Sequence, residues 1–222
     1  MADETIAEFR QAVAQDLAAL ARLHERELDQ ATLVELHRVN FPDALALRLD
    51  EDEVGLAALE GMRLAMAETP PTLADGALDA LAADYAAIFL TNAYGAPASE
   101  SPWLDADGLA RQEPTFQVME AYGRQGYAID DPLKRPADFL AFELGFLAHL
   151  LGGPQDDATA LAAASDFLKA HPRLWVGRFA ERIAMQADTP FYAGLAALLD
   201  AYLETLDDAL ALIQAGLEPP QG

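Results

Sequence analysis

Thr189-Pro190-Phe191-Tyr192-Ala193-Gly194-Leu195-Ala196-Ala197-Leu198-Leu199-Asp200-Ala201-Tyr202-Leu203-Glu204-Thr205-Leu206-Asp207-Asp208-Ala209-Leu210 is the stretch that decides the fold class. Phe191, Leu195, Leu198, Tyr202, Leu206 and Leu210 recur at three and four positions, the spacing that puts apolar side chains on one face of an α-helix. Thr189 suits the N-cap and Pro190 the first helical position, where a missing N–H costs nothing. Working outward, the same texture fills the chain. Ile6, Phe9, Val13, Leu17 and Leu20 form a first helical face, with Asp3 as its N-cap. Thr32-Leu33-Val34-Glu35 has capping-box spacing, and Phe41-Pro42 breaks the pattern because the residue before proline disfavours the α region. Further helices are predicted over 51–67, ending before Pro70-Pro71, and over 75–92. The second of these carries Leu78, Leu81, Tyr85, Ile88 and Phe89 on one broad face. Others follow over 114–124, 137–151, 155–170 and 173–187, and the tail 218–222 is expected to fray. No segment alternates with period two, as a half-buried strand would.

The expected architecture is therefore all-α, a single compact helical domain of about eight to ten helices at typical helix lengths. Two irregular stretches interrupt it. Residues 94–103 are rich in turn formers and end in Glu100-Ser101-Pro102-Trp103. Residues 126–136 are the expected hinge between an N-terminal helical subdomain, 1–125, and a C-terminal one, 137–222. Loops on rigid scaffolds often carry function.

The composition narrows the function. The 222 residues hold 14 Lys+Arg against 37 Asp+Glu, a net charge of −23, yet 52% are hydrophobic. A disordered polyanion has too few apolar residues to fold; this chain has enough for a core. The charge opposes nucleic acid, whose binding needs Lys/Arg to release counterions, and anionic membranes. It suits a cationic partner, or simply solubility, which is its default meaning. With no cysteine, disulfides, thiolate nucleophiles and Cys-type metal sites are excluded. The acidic N-terminus lacks a signal peptide's basic region, and no apolar run approaches a membrane span. A cytoplasmic protein without membrane insertion is expected.

Catalytic motifs are missing. Ala21, Val34, Phe146 and Leu168 stand three residues before His24, His37, His149 and His171, so no Glu-x-x-His pair of a di-iron bundle exists. There is no zincin motif and no phosphate-binding glycine loop. No serine elbow occurs either. The clusters Asp130-Asp131 and Glu204/Asp207/Asp208 read as solvated faces or caps. Neither an enzyme activity, nor a cofactor, nor a metal is expected.

What remains are polar residues in apolar surroundings. Glu143 lies within Phe139-Leu140-Ala141-Phe142-Glu143-Leu144-Gly145-Phe146-Leu147, apolar nearly all round and hence buried. A carboxylate there needs partners; a structural ion pair with Arg178 or Arg182 is the expectation, a ligand contact the alternative. Asp138 either caps the helix that follows or stands exposed beside the hinge to meet a basic peptide. His149 reads as a packed or half-exposed helix residue. Trp103 either staples its loop to the core or offers an aromatic anchor to a partner.

Tyr85-Ala86-Ala87-Ile88-Phe89 starts an ordered series. It continues through Pro97-Ala98-Ser99-Glu100-Ser101-Pro102-Trp103-Leu104, Tyr122-Gly123-Arg124-Gln125-Gly126, and the segment from Arg135 to Leu147. It closes with the segment from Asp166 to Trp175, Phe179 and Thr189-Pro190-Phe191-Tyr192. In order and spacing it resembles the TorD-like (TorD/DmsD) family of cytoplasmic molybdoenzyme maturation chaperones, over about residues 80–205. That resemblance implies an all-helical protein without a catalytic reaction of its own. It implies binding to the twin-arginine leader, or the apo form, of a molybdoenzyme, which is held back from export until its cofactor is inserted. Pro136 and Asp138 match the family's Pro-x-Asp-His element, whose histidine is replaced here by Phe139. Glu100, Ser101 and Trp103 match its Glu-Ser-x-aromatic loop, Glu143 its Glu-Leu pair, and Tyr85 and Phe89 its groove aromatics. These nine are the candidate client-binding residues. Carboxylates at Asp138, Glu100 and Asp130-Asp131 suit two guanidinium groups, and the aromatics suit the apolar segment that follows them. The resemblance also covers a monomer or a domain-swapped homodimer. Two alternatives stand beside it: an assembly factor for a non-exported oxidoreductase subunit, kept open by Phe139, and a weak guanine-nucleotide-handling protein.

Overall fold

The computed structural model describes residues 2–73, 76–131 and 134–217, without the side chains of residues 2–4. Ten α-helices are present among the described residues: α1 (Ala2–Glu25), α2 (Gln30–Arg38), α3 (Glu53–Glu68), α4 (Ala77–Tyr85), α5 (Ser101–Leu104), α6 (Glu113–Arg124), α7 (Leu140–Gly152), α8 (Asp157–Ala170), α9 (Pro172–Gln186) and α10 (Pro190–Leu217). The protein is all-α, with an isolated antiparallel bridge between Ser99 and Phe139 as the sole β pairing among the described residues.

The long helix read from residues 189–210 is α10, and it organises the core. It packs against α3 and α9 most extensively and against α8, while α1 lies along α7. Its inward face buries Phe191, Leu195, Leu198, Tyr202, Leu206 and Leu210, each worth roughly 1.5–3 kcal/mol relative to exposure for side chains of this size. A single apolar cluster runs from Val13 on α1 to Leu210 on α10. The N-terminal and C-terminal halves of the chain therefore share one core.

Several local expectations shift. The N-cap of α2 is Asp29, whose carboxylate accepts from Thr32 N at 2.7 Å; Thr32 is thus the third helical residue and not the start of a capping box. Asp52 caps α3 in the same way, accepting from Val54 N and Gly55 N. Thr189 precedes α10 and donates its hydroxyl to the buried carboxylate of Asp84, which also accepts from Thr189 N. The helix expected over 75–92 is α4 followed by a π turn, Ala86–Leu90. Thr91 N reaches back five residues to Ala86 O at 2.9 Å, the wide spacing that defines such a turn. Phe89 lies within it. The Asp3 cap and the tail 218–222 lie outside the described residues, as do 132 and 133 of the expected hinge.

Candidate functional site

The two irregular stretches meet. Residues 98–101 run antiparallel to residues 138–140, with Glu100 N donating to Asp138 O and Leu140 N to Ala98 O, both at 3.0 Å. Turn formers at 94–98 cannot sustain a helix, so their backbone groups are satisfied across the fold instead. This short ladder holds the Trp103 loop against the start of α7.

Beneath it lies a buried polar seam. Asp138 is 0% exposed, Glu100 1% and Glu143 0%. Asp138 Oδ2 accepts from Ser101 N at 2.7 Å and from Ser101 Oγ at 2.5 Å. Ser101 Oγ also meets Thr115 Oγ1 at 2.9 Å and accepts from Gln112 N at 3.2 Å. Glu100 faces His171 Nδ1, at 2.9 Å from Oε2. Glu143 Oε2 accepts from Trp175 Nε1 at 3.1 Å. Tyr122 closes the edge, its hydroxyl donating to Ala137 O at 3.1 Å. The seam thus ties α5, α6, α7 and α9 to one loop through buried hydrogen bonds, which cost free energy if left unmade.

Burial, and after it the charge of Glu100, push the Glu143 carboxyl well above the usual carboxylate range. No N–H or O–H donor meets its Oε1 among the described residues. A hydrogen bond between two carboxyls requires a proton on one of them, and burial favours it on Glu143. Keeping Glu143 neutral avoids the cost of burying its charge.

Two expectations are corrected here. Asp138 is neither an exposed acid nor the cap of α7: Phe139 occupies that N-cap position without a side-chain hydrogen bond. Asp138 instead receives the first N–H of α5. Glu143 pairs with Trp175, not with arginine. Arg178 and Arg182 lie over the Trp103 ring, with guanidinium carbons 5.5 and 5.8 Å from its centroid.

The remaining candidates divide into two groups. Tyr85, Phe89 and Phe139 join one aromatic cluster: Phe89 lies 4.8 Å from Tyr85 and 6.4 Å from Phe139 between centroids. Phe139, standing where the expected motif has histidine, is buried under the Arg135 guanidinium at 4.5 Å. Arg135 is held in turn by Asp131 and by the Glu25 backbone. Trp103 and Pro136 are only half-buried. Trp103 Nε1 donates to Pro97 O at 2.7 Å, so the ring staples its own loop while one side still reaches solvent. His149 is half-buried against Tyr127 and Phe146.

The sequence reading missed His171 and Trp175 as partners in the seam. His171 stands at the turn between α8 and α9, so no shared helical face marked the pair. Thr115 and Arg135 gave no signal either.

The site is thus a half-exposed aromatic loop locked over a solvent-excluded polar seam in an all-helical scaffold. The family model described as "Nitrate reductase delta subunit" matches residues 51–181. The chain is 30% identical over 197 residues to "Chaperone protein TorD" of Vibrio parahaemolyticus, covering 86% of this chain and 90% of that protein. It is 32% identical over 130 residues to the protein of that name from Vibrio cholerae, covering 56% of this chain and 59% of that one. With the Vibrio atlanticus protein of the same name it shares 27% over 190 residues, covering 82% and 87%. The chain belongs to the nitrate reductase delta subunit family, whose TorD members are chaperones.

Proposed function

We propose that this protein is a redox-enzyme maturation chaperone: it binds the apo form of a molybdoenzyme, its twin-arginine leader, or both, and assists cofactor insertion before export. The reading rests on family membership together with one observation, the loop of residues 97–103 clamped by the Asp138–Ser101 and Glu100–His171 contacts. Trp103, Pro136 and Phe89 are the candidate residues with exposed area, and in this reading they touch the client. Tyr85, Glu100, Ser101, Asp138, Phe139 and Glu143 are buried and hold the contact residues in place. A rigid, preordered loop binds without a large ordering cost. The role is binding and not catalysis, and the compartment is the cytoplasm; no helix among the described residues is long and apolar enough to cross a membrane. Residues 126–136 serve as the exchange hinge if the chain dimerises by swapping.

The net charge of −23 speeds encounter with a basic leader, and salt screens that attraction over about 10 Å at 0.1 M. Calorimetric titration with the leader of a genomically neighbouring molybdoenzyme, and with its apoenzyme, tests the proposal. Binding that weakens as salt rises is expected. No heat from either partner at low salt refutes it, and co-purification of a client lacking such a leader replaces it with the non-exported-subunit reading.

A further inference from the structure

Most arginines of this molecule pair with a carboxylate, among them Arg10, Arg38, Arg63, Arg124, Arg135 and Arg173. Like Arg22 and Arg111, Arg178 and Arg182 form no ion pair among the described residues, in a chain with 37 carboxylates. Each spends one donor on a backbone carbonyl instead: Arg178 Nη2 on Leu174 O at 3.1 Å, Arg182 Nη1 on Gly95 O at 3.0 Å. Both lie over the half-buried Trp103 ring. A guanidinium carries five N–H donors in a fixed planar fork, so stacking on an aromatic face leaves edge donors for a carboxylate.

The two arginines border a groove of about 490 Å³ walled by Pro97, Pro102 and Met185. Along the same face of α9, Leu174 is 49% exposed and Met185 65% exposed. Positions 174, 178, 182 and 185 follow helical spacing. With Glu181, which also lines the groove, they present a stripe with apolar ends and two guanidinium groups about one carboxylate, beside an aromatic ring. A small anion needs the central charges alone; the apolar ends and proline walls add area that only a chain segment covers.

We propose that this groove is a docking subsite for an acidic peptide segment, with two carboxylates set between apolar side chains that rest on Leu174 and Met185. Two guanidinium groups against one carboxylate leave the groove net positive, on a chain whose net charge is −23. The inference does not depend on the chaperone reading, which is decided by the leader and apoenzyme titrations.

The test is calorimetry on the full chain with a blocked eight-residue peptide of alternating Leu and Glu pairs, a Gln-for-Glu version, and inorganic phosphate. The acidic peptide should bind the wild type. Arg178→Gln combined with Arg182→Gln, and the Gln peptide, should each weaken binding about tenfold or more. Arg178→Lys with Arg182→Lys should fall between, because the charge survives without the fork. Unchanged circular dichroism establishes that the variants fold. No binding of the acidic peptide to the wild type, equal binding by the Gln double variant, equal binding of the Gln peptide, or binding of phosphate alone would each overturn the proposal.

Discussion

Asp138→Ala is the perturbation that the buried seam predicts most sharply. The carboxylate supplies one acceptor oxygen to two donors, Ser101 N and Ser101 Oγ. After truncation, the hydroxyl can turn toward Thr115 Oγ1, 2.9 Å away, but the amide cannot turn and stays buried without an acceptor. An orphaned buried donor costs about 1–3 kcal/mol, and loss of a hydrogen bond to a charged acceptor is of similar size. Relief from burying the charge offsets part of this, leaving a net loss of about 3 kcal/mol. For a domain of this length that corresponds to a Tm lower by about 6–12 °C. Asp138→Asn keeps a carbonyl acceptor for both donors but buries its amide donors where Oδ1 has no partner among the described residues; with the charge gone it should cost about 1–2 kcal/mol, less than alanine. Urea unfolding followed by helical circular dichroism measures both, and a double-mutant cycle with Ser101→Ala should return a coupling of about 1–2 kcal/mol. A Tm for Asp138→Ala within about 2 °C of wild type, or an additive cycle, would falsify the account of this seam. Client affinity should fall with the loop's order, so Asp138→Asn should bind far better than Asp138→Ala.

Other consequences concern buried titration and close packing. Glu143 is raised by burial and by Glu100, so the folded state holds its proton above the ordinary carboxyl value of 4.5. Stability from this group is complete below 4.5 and is lost as pH rises toward the folded value. Glu143→Gln should therefore gain stability over wild type between acid and neutral pH and match it below 4.5; a pH-independent difference in urea midpoints contradicts this. His24 is buried and lowered to about 4 from 6.5, so its contribution is present above 6.5 and lost as pH falls to about 4. At about 1.4 kcal/mol per unit, wild type should lose on the order of 3 kcal/mol relative to His24→Leu across that span. Parallel stability curves for the two proteins refute it. A Cβ on Gly55 would collide with the carbonyl oxygen of Leu49, which is backbone and cannot swing aside. Gly55→Ala should cost about 2–3 kcal/mol, read as a lower Tm, whereas Gly61→Ala, whose Cβ meets nothing within 4 Å, should be neutral or slightly stabilising.

The helices were legible because their signal is local. Apolar residues three and four apart can satisfy their backbone only within themselves while facing a core, so residues 189–210 specify α10 wherever its partners lie. Boundaries were less legible where competition is subtle. Thr32 and Asp29 both offer capping oxygens, and the geometry of the turn chose Asp29. The π turn at Ala86–Leu90 has no periodic signature, because one extra residue per turn changes the face without changing composition. At the candidate site, the irregular stretches at 94–103 and 126–136 were visible as breaks in helical texture. Their meeting across the Ser99–Phe139 bridge was not.

From the chain alone follow an all-α fold, a strongly acidic surface, a polar core residue at Glu143 and a loop rich in aromatic and turn residues. Composition and periodicity carry these, since each depends on residues near one another in sequence. Tertiary structure decided what the polar residues do. Asp138 reads equally well as a cap or an exposed acid until α5 is brought to it from 37 residues away. Arg178 and Arg182 read as partners for Glu143 until α9 turns them outward onto Trp103. Charge pairing depends on distances of a few ångströms and on exclusion of water, and those are settled only when distant segments pack.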